Sequence, residues 1–333
     1  MRQAAWSYAI SACFVSALLV GCKDDRSKSS TASNSDVAKV RLTLDWKPEP
    51  EFGGFYAAKR NGAFERNKLD VDIKPAGPGA PTWQLVARGQ TDFATTAADQ
   101  VLIAREQGAD VVAIFAVYQT CPQAVMAHKA RGFTKLQDVF ANEGTLAAED
   151  NAWLRYCRDK FQPVKATITG YSGGVAAFLA KADYSQQCFV FSEPILARKQ
   201  DPNADPQTFL VAESGYNPYT TVVITSRAFI NTHHGQIDPM IKACQEGWRA
   251  YLDNPTETNK LMATLNPDMD LDTFAQAAAA QKSLIETEET KKLGLGVITK
   301  DRWDTLGQQL VMLKVIKKAA SSDEAVHNLG DPW

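Results

Sequence analysis

Residues 41–64 read RLTLDWKPEPEFGGFYAAKRNGAF. An alternating apolar strand over residues 40–44 runs into Asp45-Trp46. A loop stiffened by Pro48 and Pro50 then presents Glu49 and Glu51, and Gly53-Gly54 lead into a helix that starts with Phe55 and Tyr56. A strand that hands over to a helix through a short loop is half of the unit from which parallel sheets are built. The alternation continues with helix 54–67, strand 71–74, helix 82–88 with Thr82 near its start, strand 92–95, helix 97–107 and the strongly apolar strand 111–118. Strands alternating with helices in this way predict a mainly parallel α/β sheet covered on both faces.

A smaller set follows. Residues 136–139 predict a short helix, 145–148 a strand, 152–160 a helix, 166–169 a strand, 174–181 a helix, 188–191 a strand and 194–199 a helix. Residues 220–225 return to a buried strand, and from Arg227 onward the pattern is mainly helical, with apolar spacing over 239–252, 271–285 and 303–316. The expected organisation is two α/β lobes: residues 39–127 and 222–333 form the first, and 128–221 the second. Two crossings of the chain make a two-strand hinge. Open parallel sheets place ligands outside the carboxyl ends of their strands, so the two sheets are expected to face each other across a cleft that closes about the hinge.

The start of the chain carries one early charge, Arg2, and an apolar run over residues 9–20. That run is shorter than the ~20 residues of a membrane span and has the length of a signal-peptide core, so residues 1–21 are expected to be a signal peptide. It ends in Leu19-Val20-Gly21-Cys22, which resembles a bacterial lipobox. Cleavage there leaves Cys22 as a lipidated N-terminus, anchored to a membrane by acyl chains worth ~0.8 kcal/mol per buried methylene. Residues 22–38, rich in Ser, Asp, Lys and Asn, read as a flexible tether. The folded part is expected from Lys39 onward, on the extracytoplasmic, periplasmic side. Lys and Arg number 36 against 38 Asp and Glu, and no basic run points to nucleic acid. After Cys22 come Cys121, Cys157, Cys188 and Cys244. Export permits disulfides, and both paired cysteines and four buried free thiols fit the spacing. No CxxC and no metal-ligand spacing occurs.

Leu44-Asp45-Trp46, Pro48, Gly54 and Tyr56, followed by Gly62, Phe64 and Leu69-Asp70-Val71, resemble the opening of the no-message-in-thiamine family. That family comprises solute-binding proteins for thiamine pyrimidine precursors and fungal thiamine-pyrimidine synthases, and it is similar to the sulfonate- and taurine-binding proteins of ABC importers. Gly89-Gln90-Thr91-Asp92-Phe93 is similar to its step before a substrate loop, and Ser192-Glu193-Pro194 to its acidic residue at the end of a cleft strand. Gly215-Tyr216-Asn217-Pro218-Tyr219 is similar to its aromatic crossover. The resemblance spans most of residues 39–265. It implies a type II periplasmic-binding-protein fold, a small-molecule ligand, and the permease and ATPase of an ABC importer as partners of a monomer. The chain also departs from the pattern. The pyrimidine branch reads Pro-Asn-x-Asn-His after the Trp, where this chain has Pro48-Glu49-Pro50-Glu51-Phe52, with Phe52 at the His position. The synthase uses that His, a cysteine-rich segment and a Lys-held pyridoxal cofactor. A chain without the His and the cysteine run, and exported, does not fit that chemistry.

The strand-to-helix loops supply the candidate ligand contacts. Trp46 and Tyr56 can stack on a flat ring, Glu49 and Glu51 can accept from a ligand amine, and Phe52 stands at the family's His position. Thr95 and Thr96 end a strand ahead of a helix, Gln119 ends strand 111–118, and Trp153 offers the opposite aromatic wall. Tyr171 precedes Ser172-Gly173-Gly174 at another strand end. Glu193 ends strand 188–191 in the second lobe, a place that the resemblance supports as a ligand contact, and Tyr216 and Tyr219 lie in the crossover that the resemblance marks. No P-loop, Gly-x-Ser-x-Gly, dinucleotide fingerprint or HxxxH pair is present, so no catalytic residue, cofactor or metal is expected. The expected function is capture of a small ring-containing metabolite, pyrimidine- or thiamine-precursor-like, by a lipid-anchored binding protein. Sulfonates or other nitrogen-rich aromatics are the runner-up ligands, and a transporter-independent sensing lipoprotein shares the fold.

Overall fold

The computed structural model describes residues 37–77 and 79–327. The expected signal peptide and the lipidated Cys22 lie outside the described residues. Among the described residues, ten strands form two five-stranded sheets. The first is built from β1 (Ala38–Thr43), β2 (Leu69–Lys74), β3 (Phe93–Thr96), β4 (Val111–Tyr118) and, much later, β10 (Thr220–Ser226), in the order β2-β1-β3-β10-β4. The second is built from β5 (Gln123–His128), β6 (Thr145–Ala147), β7 (Thr167–Thr169), β8 (Tyr184–Phe189) and β9 (Pro206–Leu210), in the order β7-β6-β8-β5-β9. In each sheet one strand runs against the others: β10 is antiparallel to β3 and β4, and β5 is antiparallel to β8 and β9. These two are the first strands after each crossing, so each lobe receives the incoming chain as a reversed strand inside its sheet.

Several boundaries differ from the sequence reading, each for a physical reason. β1 begins at Ala38, inside the stretch read as tether. Helix 54–67 is two helices, Gly53–Arg60 and Ala63–Arg66, because Gly62 adopts a left-handed φ of 75° that ends the first. The strand expected at 188–191 is β8, which starts at Tyr184. Its middle is polar yet buried, with Ser185 0%, Gln186 1% and Gln187 9% exposed, so no apolar run announces it. Gln186 spends its Nε2 on the Gly174 carbonyl at 2.9 Å. β5 and β9 were not foreseen. β9 opens on Pro206, which suits only an edge strand, and it stands at the edge of its sheet. Because β5 belongs to the second sheet, the outgoing crossing lies between Tyr118 and Gln123, ahead of the expected 127/128 boundary.

β4 is an edge strand, yet all eight of its residues are buried. The C-terminal part of the chain covers it: the Ala116 amide donates to the Gly296 carbonyl at 3.0 Å, and the His327 amide to the Ala113 carbonyl at 2.8 Å. An exposed apolar edge would invite pairing with other chains, and this covering removes it. The crossings are tied to each other and to the helical tail. Asn217 Oδ1 accepts from the Cys121 amide at 2.8 Å, while Arg302 Nε donates to the Asn217 carbonyl at 3.0 Å and its guanidinium lies 3.8 Å from the Tyr219 ring centre. All four cysteines of the folded part are buried free thiols. Among the described residues, no helix is long and apolar enough to cross a membrane.

Candidate functional site

The carboxyl ends of β1, β6, β7 and β8 and the amino end of β5 converge on a cavity of about 360 Å³ between the two sheets. From the first lobe come Asp45 and Trp46, directly after β1, and Glu49 and Glu51 from the loop beyond. Asp45 is fixed by Thr95 at the end of β3. Its amide donates to Thr95 Oγ1 at 2.9 Å, and the Thr95 hydroxyl donates back to the Asp45 carboxylate. The proline-rich loop closes into a short 3-10 turn, Pro50–Phe52, with proline at its first position, where no amide is needed. The helical tail pins it: Asn266 Nδ2 donates to the Pro48 carbonyl at 3.2 Å, and the fully buried Gln281 Nε2 to the Pro50 carbonyl at 2.8 Å. Trp46 Nε1 donates to Glu49 Oε1 at 3.2 Å, so the indole and one glutamate are set by each other.

Thr95 therefore has a positioning role, and it predicts a measurable result. Thr95→Val keeps the shape but leaves the Asp45 carboxylate without its hydroxyl partner. Unfolding in urea is expected to show a loss of about 1–3 kcal/mol, and an unchanged midpoint would remove Thr95 from this role.

The second lobe supplies the opposing wall. Glu193 opens the helix Glu193–Gln200, and its carboxylate accepts from the Phe189 amide at 2.8 Å and from the Tyr171 hydroxyl at 3.0 Å. Gln187 Oε1 accepts from the Glu149 amide at 2.8 Å, holding the loop after β6. Gln123 reaches the cavity because β5 runs backwards, which puts its first residue beside Phe189, the last of β8. Phe189 and Phe191 form an edge-to-face pair at 5.6 Å, and Phe191 stacks on Tyr118 of the first lobe at 5.6 Å and 14°. That stack, with the Lys199–Asp270 ion pair between the helix Glu193–Gln200 and the start of Leu271–Ile285, ties the lobes together.

The electrostatics are one-sided. Asp45, Glu49, Glu51, Glu149 and Glu193 line the cavity, and among the described residues no lysine, arginine or histidine does. Burial pushes the carboxyl groups of Asp45, Glu49 and Glu193 above their ordinary range, against the hydrogen bonds that each receives. Glu51 is pushed well above it, by burial first and then by Glu49, Asp45 and Glu193.

Of the residues singled out in the sequence, Trp46, Glu49, Glu51, Tyr171 and Glu193 line this cavity. The other candidates do not. Phe52 and Tyr56, four residues apart on one face, point into the apolar core of the first lobe, where burial raises the Tyr56 hydroxyl to about 12. Thr95 acts through Asp45, and Thr96 is a buried residue of β3. Gln119 spends its Nε2 on the Ala116 and Val297 carbonyls, both at 3.1 Å. Trp153 and Tyr216 are core residues, the latter packed at 5.4 Å against Tyr156. Tyr219 accepts from the Thr299 amide at 3.0 Å beneath Arg302. Gln119, Tyr216 and Tyr219 thus belong to the crossings rather than to the cavity. The sequence reading missed Asp45, Gln123, Glu149, Gln187, Phe189 and Phe191. Asp45 was within reach of the strand-end rule applied to β1 itself.

A family model described as "NMT1/THI5 like" matches residues 49–258. A formylaminopyrimidine-binding protein of Halalkalibacterium halodurans is 22% identical over 319 residues, covering 91% of this chain and 94% of that relative. A riboflavin-binding protein, RibY, of Chloroflexus aurantiacus is 23% identical over 290 residues, covering 80% of this chain and 78% of the relative. Among solved structures, the periplasmic aliphatic sulphonate binding protein SsuA from Escherichia coli superposes with a TM-score of 0.63 at 12% identity, over 88% of this chain and 93% of that one.

Proposed function

Because the chain belongs to the NMT1/THI5-like family and has the two-lobed periplasmic-binding-protein fold, we propose that it is the solute-capturing component of an ABC importer. Its interlobe cavity takes a small nitrogen-containing ring compound of the aminopyrimidine kind. The protein hands this ligand to a membrane permease driven by an ATPase and performs no chemistry on it. Lipidation at Cys22 would hold it on the extracytoplasmic face of the membrane.

The observation that carries the ligand class is the lining itself: aromatic side chains beside five carboxyl groups, with no cation among the described residues that line it. A ring with exocyclic amines matches that wall, since it offers a face to Trp46, Phe189 or Phe191 and N–H donors to the carboxylates. A sulfonate is disfavoured, because it needs oxyanion donors and here meets acceptors. A cavity of about 360 Å³ stands at the small end of ligand sites and suits one ring with short substituents.

Titration calorimetry with substituted 4-aminopyrimidines, riboflavin and alkanesulfonates tests this reading. Saturable binding of a nitrogen heterocycle is expected, weakened roughly tenfold by Trp46→Ala through loss of one stacking face. Binding confined to the sulfonates would overturn it.

A further inference from the structure

Glu51 differs from the other acidic groups around it. It sits in the middle of the Pro50–Phe52 turn, is 9% exposed, and forms part of the cavity wall. Asp45 has Thr95, Glu49 has Trp46, and Glu193 has the Phe189 amide and Tyr171. Among the described residues, no hydrogen bond or ion pair reaches the Glu51 carboxyl group; only negative charges act on it. Buried polar groups are almost always satisfied, and an unpaired buried carboxylate is strongly unfavourable. One that faces a cavity marks the place where a donor arrives from outside.

The surroundings of Glu51 give the sign of that donor. Asp45 and Glu49 act on it from its own lobe and Glu193 from the opposite one, and the Tyr118 hydroxyl is near enough to feel its charge. Lys47, the cation that acts on Glu49, is engaged with Asp268 at 2.8 Å. Without a counter-charge, the cleft therefore holds carboxylates of both lobes together in a site of low dielectric, where their repulsion is strongest.

We propose that the cleft selects a ring compound bearing a protonated amine or amidine-like N–H group, that this group seats on the Glu51 carboxylate facing Glu193, and that its positive charge lets the two acidic faces close. The inference rests on the assignment of the cavity as the binding site and adds the charge of the ligand. A neutral ligand of the same shape fills the volume but leaves the repulsion in place. A cation removes it and gains a charge-assisted hydrogen bond. The loop sequence Pro48-Glu49-Pro50-Glu51 is thus a specificity element. Its prolines and the Asn266 and Gln281 bonds hold Glu51 against the cavity, away from bulk water.

The test is calorimetry at pH 7.5 on the purified protein with two matched pairs of probes. These are 4-amino-5-aminomethyl-2-methylpyrimidine against its 5-hydroxymethyl counterpart, and benzamidine against benzamide. The cation of the pyrimidine pair is expected to bind at least tenfold more tightly than its neutral partner. Glu51→Gln is expected to bring that ratio to within threefold of unity while raising the unfolding temperature of the ligand-free protein, which a merely misfolded variant does not do. Glu193→Gln, on the other lobe, supplies a second route to the same fall in ratio. Equal binding within the pairs, or a ratio that survives both variants, overturns the charge selection and leaves capture of ring compounds standing. Preference for benzamidine with no pyrimidine bound supports charge selection and removes the pyrimidine assignment. No binding by any of the four overturns both.

Discussion

Gly247→Ala lowers the unfolding temperature by roughly 3–5 °C. Gly247 lies in the helix Ile237–Asp253, which packs on Gly53–Arg60, the helix that follows the proline-rich loop. A Cβ there would stand 2.2 Å from the Gly54 carbonyl oxygen and 2.5 Å from the Ala58 Cβ. Neither atom is the end of a flexible side chain, so one helix must move as a body. Gly54 meets the reciprocal constraint, since its own Cβ would fall 2.2 Å from the Trp248 ring. Overpacking of this kind costs typically 1–3 kcal/mol and occasionally more, and backbone against backbone belongs at the upper end. The displaced helix carries the Pro50–Phe52 turn with it, so ligand affinity falls too. Gly235→Ala is the control, because a Cβ at that position meets nothing within 4 Å and its melting temperature is expected to stay unchanged. A calorimetric melt of the three proteins decides the matter, and equal midpoints would contradict the close helix contact.

As the pH rises from about 4.5, the unfolded-chain value of Glu51, to its higher folded value, the ligand-free protein loses stability relative to its Glu51→Gln variant. Glu51 titrates near 4.5 in an unfolded chain, and burial, then Glu49, Asp45 and Glu193, raise it well above that in the folded one. The folded state therefore binds more protons than the unfolded state across this interval, and stability must fall as pH rises. The contribution is complete below about pH 4.5 and disappears as the pH passes the folded value. Asp45, Glu49 and Glu193 are raised as well and act with the same sign. Asp92 acts oppositely: its partial burial is outweighed by the Arg41 bonds that hold it low, so its stabilisation is lost only at more acid pH, outside this window. Glutamine mimics the protonated carboxyl group, so the variant and the parent should agree at acid pH and separate progressively as the pH rises, the variant being the more stable. Denaturant titrations at four pH values measure the gap. A gap that does not change with pH would mean that Glu51 is solvated.

The opening stretch was legible because its physics is local. Asp45-Trp46 follow the carboxyl end of β1, the two prolines fix the loop, and Gly53-Gly54 allow a helix to lie against Tyr251 and Trp248. Trp46, Glu49 and Glu51 could be picked from that pattern, and Tyr171 and Glu193 from the ends of later strands. Other residues were hidden by tertiary context. Gln186 and Gln187 bury polar side chains in β8 through bonds to distant backbone groups, and Ser185 is buried beside Arg131, so the strand end was misplaced and Phe189 and Phe191 were overlooked. Gln123 was lost with β5, a strand whose partners are more than 50 residues away in β8 and β9. Trp153, Tyr216 and Tyr219 have the composition of ligand contacts, but their rings are buried in the core and the crossings, and sequence carries no sign of which aromatic faces a cavity.

Hydrogen exchange of the backbone amides, with and without 4-amino-5-aminomethyl-2-methylpyrimidine, locates the ligand most directly. Binding in the interlobe cavity with closure of the cleft predicts new protection in two separate segments, 45–52 on the first lobe and 187–193 on the second, together with slowed exchange at the crossings 119–122 and 215–219. Protection confined to one lobe, or placed in the groove lined by Tyr251, Lys260 and Ala275 instead, would mean that the acidic cavity is not where this protein holds its solute.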